Sequence, residues 1–183
     1  MKTFMCFCLA FLMNALFFTL ETSAQGSLTP SGPPSPTMRS LDQVEPRTPI
    51  STVPFMISQP GAYVLVRNLS GSVGGITVAA SNVSLDLNGF SLSGDPLIVG
   101  HGLSVLPNDN VIIQNGVIRR WGGNGIHAPG VTDLQLRNVR VLQCAGNGIE
   151  TGSSILRDVT VADNDGIGVR AGSGLVADKV AFH

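Results

Sequence analysis

Lysine is nearly missing from this chain: of 183 residues, only Lys2 and Lys179 carry an ammonium group. Charged residues make up 13% of the sequence, the formal net charge is −1, and no basic block occurs. That excludes the clustered positive footprint of a nucleic-acid-binding protein. Aromatic residues contribute only 5%, so any core must be built from aliphatic side chains. The strong helix formers Glu, Lys and Gln are sparse, which argues against a helical domain. Cysteine is limited to Cys6, Cys8 and Cys144. The first two fall in an N-terminal leader, so the rest of the chain holds one thiol and no internal disulfide can staple it. With no histidine near it in sequence, Cys144 reads as a small buried filler.

What the chain does have is glycine (22 residues), Val, Ile, Leu, Asn and Ser, in a 183-residue length that supports one domain with a core. Residues 1–24 combine Lys2, a long apolar run and small residues ahead of a cut after Ala24. These are the features of a secretory signal peptide. The alternative is an uncleaved membrane anchor, although the run is short for a span and no flanking charges would stop transfer. Residues 25–50 form a Pro-rich arm punctuated by Pro30, Pro33, Pro34, Pro36, Pro46 and Pro49. Prolines at that density keep the backbone extended.

From Ser51 onward a repeat sets the architecture. A glycine followed by an aliphatic residue recurs at Gly75-Ile76, Gly102-Leu103, Gly125-Ile126, Gly148-Ile149 and Gly166-Ile167. An Asn or Asp behind an apolar strand recurs at Asn88, Asn115, Asn138, Asp158 and Asp178. Before these anchors the apolar residues alternate with period two, the mark of a strand with one buried face. Stacked repeats of short strands without helices predict a parallel coil, each repeat being one turn about 4.8 Å above the last. Aliphatic side chains then stack inside, the Asn/Asp column forms a ladder at one corner, and the glycines supply unusual dihedrals at another. The expected fold is all-β, a right-handed parallel β-helix of about five coils over residues 51–183.

The segments "ISQPGAYVLVRNLSG", "ITVAASNVSLDLNGFSLSG" and "NVIIQNGVIRRWGGNGIHA" resemble the right-handed parallel β-helix proteins of the pectin-lyase-like superfamily. The chain is most similar to the exported bacterial members known only as right-handed β-helix repeat proteins, and its Pro-rich arm resembles theirs. The resemblance covers residues 50–183 and implies a fold more than an activity, since the superfamily hosts lyases, hydrolases, epimerases and adhesins.

Polygalacturonases of that superfamily carry a Gly-His-Gly motif, matched here by Gly100-His101-Gly102. The resemblance further implies an Asn-x-Asp and an Asp-Asp pair upstream and an Arg-x-Lys downstream. Upstream of His101 and beyond the arm stand only Asp86 and Asp95, in neither arrangement, and no Arg-x-Lys exists. The carboxylate pair that glycoside hydrolysis requires is missing. In register, His101 falls in a column with Gly74, Asn124, Asn147 and Asp165 and reads as one rung of a polar turn.

A neighbouring column holds Thr77, Ser104, His127, Glu150 and Gly168 and should point outward. His127 and Glu150 on adjacent turns form the one candidate acid/base or ligand-facing pair; the alternative is a solvated cross-strand pair. Asp163, Asn164 and Asp165 offer oxygens for calcium, or else ordinary turn chemistry. Arg120 and Trp121 would suit a sugar ring if the indole is exposed; a tryptophan packed beneath the following glycines is the alternative. Two glycosylation patterns, at Asn68 and Asn82, complete the motifs.

The last coil ends at His183 with no polar cap. This suggests a longer parent β-helix or end-to-end pairing with another chain. The functional expectation is an exported, non-catalytic β-helix protein whose flat faces hold polysaccharide. A fragment of a polysaccharide lyase or hydrolase and a self-associating adhesin are the alternatives. No cofactor is expected beyond the calcium reading, and the membrane is reached only through the leader.

Overall fold

A computed structural model of the chain describes residues 46–183; the leader and most of the Pro-rich arm lie outside them. The first turn holds β1 (Arg47–Ile50) and β2 (Phe55–Ile57). The second holds β3 (Gly61–Leu65), β4 (Leu69–Ser70) and β5 (Ile76–Val78). The third holds β6 (Val83–Asp86), β7 (Ser91–Ser93) and β8 (Leu103–Val105). The next three turns each pair a long strand with a short one: β9 (Val111–Arg119) with β10 (Ile126–Ala128), β11 (Leu134–Leu142) with β12 (Ile149–Thr151), and β13 (Ser154–Ala162) with β14 (Val169–Ala171). The last strand is β15 (Leu175–Phe182).

Every pairing is parallel and joins equivalent strands of successive turns. One sheet runs β1-β3-β6-β9-β11-β13-β15, and the other, of short strands, runs β14-β12-β10-β8-β5-β2. The chain is thus a parallel β-solenoid of about six turns. Its first strand lies within the last residues of the Pro-rich stretch: β1 pairs with β3, Ile50 facing Leu65, and Ile50 is fully buried.

The core consists of vertical aliphatic stacks. In the long-strand sheet Leu85, Ile113, Leu136 and Leu156 lie above one another. In the short-strand sheet the stack is Ile76, Leu103, Ile126 and Ile149. All eight side chains are at most 1% exposed. Burying an aliphatic side chain of this size contributes about 1.5–3 kcal/mol, which makes these stacks the main cohesive term. Trp121 joins the core, fully buried, with its Nε1 donating to the Leu92 carbonyl at 3.2 Å. An indole in that position cannot stack on a sugar, so the exposed reading of Arg120-Trp121 is corrected: Trp121 is a packing residue, and Arg120 is an exposed corner residue with φ 59°.

The long strands bend at residues with left-handed backbone: Asn115 (φ 59°), Asn138 (52°), Asp158 (52°) and Lys179 (53°). In the last strand the register pairs Arg157 with Asp178 and Val159 with Val180, so the corner residue is Lys179 and the assignment of Asp178 to the ladder is corrected. Asn and Asp tolerate this conformation because their short side chains bond locally. The amide ladder itself is short. Asn138 Nδ2 donates to Asn115 Oδ1 at 3.2 Å, and Asn115 Nδ2 donates to Asp86 Oδ1 at 3.2 Å. Asn88 stands outside it, because the first full corner is two residues longer; its Nδ2 donates to the Leu65 carbonyl instead.

The glycine column also shifts at its end. Leu103, Ile126 and Ile149 donate their amides to the carbonyls of Gly125, Gly148 and Gly168. The last member is therefore Gly168 and not Gly166, and Val169 rather than Ile167 enters the core stack. None of Gly75, Gly102, Gly125, Gly148 or Gly168 has a left-handed φ. They are glycines for another reason: a Cβ at Gly125 would lie 2.8 Å from the Gly148 carbonyl oxygen, and one at Gly148 would lie 2.6 Å from that of Gly168.

Candidate functional site

The outward column of the short-strand sheet reads Met56, Thr77, Ser104, His127, Glu150 and Arg170 from turn to turn. Correcting the glycine column replaces Gly168 with Arg170 as the partner of Glu150. His127 Nδ1 lies 3.0 Å from Glu150 Oε2, and the Arg170 guanidinium reaches Glu150 Oε1 at 3.5 Å. Glu150 is the least exposed of the three, at 18%. The expected His127–Glu150 neighbours are therefore in direct contact, as an outward column of a parallel sheet demands.

Beside this column runs a second one, and it explains His101. His101 Nδ1 accepts the backbone N–H of Asn124 at 2.9 Å. Asn124 Oδ1 accepts that of Asn147 at 3.0 Å, and Asn147 Oδ1 accepts that of Ile167 at 2.9 Å. Each side chain satisfies one backbone donor on the turn above, so this is the more continuous ladder of the molecule. His101 is a rung, as its register suggests, with an imidazole nitrogen in place of an amide oxygen; the final member is Ile167 rather than Asp165. A polar role at the corner is not its only contact. The His101 ring stacks on that of His127, with centroids 4.4 Å apart and planes within 9°.

These bonds assign the protons. Asn124 Oδ1 is occupied by the Asn147 amide, which fixes its Nδ2 toward Glu150 Oε2 at 2.7 Å. Asn124 Nδ2 also lies 3.2 Å from His127 Nδ1, but its shorter contact is to the Glu150 carboxylate. A carboxylate oxygen 3.0 Å from Nδ1 favours a proton there, so in the neutral ring the Nε2 lone pair is unused. His101 has the opposite tautomer: Nδ1 accepts from Asn124, so its proton sits on Nε2. Burial first, and His127 second, lower the His101 pKa against the opposing pull of Glu150. Charging that ring would also break the bond from Asn124.

A cleft of about 320 Å³ opens next to the cluster, walled by Pro54, Val73, Thr77, Val99, His101 and Ser104. Among the described residues no Asp, Glu, Lys or Arg lines it. Val73 and Val99 are largely exposed and give it an apolar rim. The other candidates are not drawn into a site. Asp163 and Asp165 are exposed on either side of Asn164, whose Oδ1 accepts the Cys144 amide and whose Nδ2 donates to the Val141 carbonyl. Among the described residues no group of three or more His, Cys, Asp or Glu side chains is arranged to hold a metal ion. Cys144 is buried at 1% exposure, which pushes its thiol pKa up.

The sequence pairing of His127 with Glu150 thus gains three members: Asn124 and His101 from the adjacent ladder, and Arg170 from the last turn. No protein-family model, curated protein or solved structure matches the chain.

Proposed function

We propose that this is an exported β-solenoid, similar in type to the right-handed β-helix repeat proteins, whose short-strand face holds a polysaccharide. The observation that supports the reading is the His101–Asn124–His127–Glu150 cluster beside an uncharged cleft. Polar donors and acceptors of fixed orientation stand at the edge of an apolar-rimmed hollow, the combination that small ligand sites use. A sugar presents hydroxyls that both donate and accept. His127 Nε2 offers an acceptor, His101 Nε2–H a donor, and Thr77 and Ser104 hydroxyls can do either. The parallel turns repeat this surface at about 4.8 Å, so an extended chain of sugars would run along the column from Thr77 toward Arg170. The leader at residues 1–24 accounts for the exported placement.

A glycan array probed with the full chain tests this reading. Saturable binding to a polysaccharide is expected, weakened about tenfold or more by His127→Ala, which removes hydrogen bonding of about 1.4 kcal/mol or more. Absence of any glycan ligand, or binding that is indifferent to His127→Ala, overturns it.

A further inference from the structure

We propose that Ser104, in the wall of the cleft, and His127 and Glu150, on the next two turns, form a hydrolytic relay for short acyl esters. The inference rests on the reading that this face is the ligand face, and adds a chemical step to it. Three successive turns place these residues in one register column, Ser104 the partner of His127 and His127 the partner of Glu150. A nucleophile, a base and a carboxylate that orients the base are thereby aligned along the solenoid axis. The order matches the roles that acyl transfer needs.

Glu150 is the positioning residue. Its Oε2 accepts the His127 Nδ1–H at 3.0 Å and is itself held by Asn124 Nδ2 at 2.7 Å. That arrangement directs the proton to Nδ1 and leaves Nε2 as the base. His101, stacked on His127, restricts the tilt of the ring. Ser104 is the nucleophile: it lines the cleft, it is the register partner of His127, and its Oγ makes no hydrogen bond among the described residues that would hold it away from the ring. Hydrogen bonds between nucleophile and base are commonly loose before substrate binds. In the same wall the backbone amides of Gly74 and Gly100 donate to no acceptor among the described residues. With the His101 Nε2–H they are candidate donors for an oxyanion. The cleft volume and its valine rim suit an acyl group of a few carbons.

Ser104 Oγ bonds to the ester carbonyl carbon while its proton passes to His127 Nε2. The carbon–oxygen bond to the alcohol breaks, and the alkoxide leaves with the proton from Nε2. Water then attacks the acyl-serine, its proton returning through Nε2, and releases the carboxylic acid with Ser104 restored.

The test is hydrolysis of p-nitrophenyl acetate by the full chain, together with labelling by a fluorophosphonate probe and mapping of the labelled peptide. Labelling at Ser104 is expected, with kcat lowered about 100-fold or more by Ser104→Ala and by His127→Gln. Glu150→Gln should lower kcat at unchanged KM, and Glu150→Asp should restore part of the loss. Ser104 makes no hydrogen bond, so Ser104→Ala keeps the fold and decides the matter even if the other variants misfold. An unlabelled Ser104, or hydrolysis by Ser104→Ala as fast as by the parent chain, overturns the relay. The small ester needs no glycan, so a chain that binds glycan yet spares the ester refutes this step alone. Ester turnover without any glycan ligand refutes the polysaccharide reading alone.

Discussion

His101 illustrates how one residue can satisfy a structural and a chemical demand together. As a rung it replaces an amide oxygen with Nδ1; as a ring it supports His127 from one side. Both tasks need the neutral form, and burial and His127 lower its pKa accordingly. The sign of the pH dependence follows. Between the lowered folded-state value and the unfolded value of about 6.5, the unfolded chain binds more protons than the folded one. The contribution of His101 to stability is therefore complete above about pH 6.5 and is lost as pH falls through that window. His127, Glu150 and Arg170 stand close enough to modulate it. Urea unfolding should show a midpoint that drops between about pH 7.5 and pH 5. His101→Asn, which keeps the ladder acceptor but not the titrating ring, should show a smaller drop. An equal drop in the variant would place the pH dependence elsewhere.

At the scale of the element, the long strands turn corners at residues whose side chains tolerate a left-handed backbone. In the column of bends within the long strands Lys179 is the exception, held at φ 53° where the equivalent positions are Asp158, Asn138 and Asn115. Its ion pair with Asp158, at 3.8 Å between two exposed groups, offsets little of that strain. Lys179→Asn should stabilise the chain by roughly 0.5–1 kcal/mol, part of the cost of left-handed backbone in an L-residue, read as a higher urea midpoint. An unchanged or lower midpoint would contradict the account of this corner. The same position shows where the sequence was hard to read. Period-two alternation and Gly-aliphatic pairs locate the turns around Gly102, Gly125 and Gly148, because repeats of equal length keep both anchors in step. The last turn is shorter and contains two Gly-aliphatic pairs, Gly166-Ile167 and Gly168-Val169. Only hydrogen bonding distinguishes them, and it selects the second. That two-residue ambiguity hid Arg170 from the His127–Glu150 column, and a lysine at the corner position drew the ladder to Asp178.

For the whole molecule, stacking is what turns sequence spacing into a site. Residues 23 apart in sequence, such as Ser104, His127 and Glu150, become neighbours because three consecutive turns share one register. The fold was legible because it repeats. The candidate site was legible only in its His127–Glu150 half, because the polar ladder that brings Asn124 and His101 to it looks in sequence like ordinary turn residues. The central claim is that this ladder and column together fix two stacked imidazoles in opposite tautomers. Long-range ¹H–¹⁵N correlation of the histidine rings in the full chain, at about pH 7.5 where an ordinary imidazole is mostly neutral, tests it most directly. The expected result is His127 protonated on Nδ1 with a bare Nε2, and His101 protonated on Nε2 with a bare Nδ1. A His127 that carries its proton on Nε2 would contradict it.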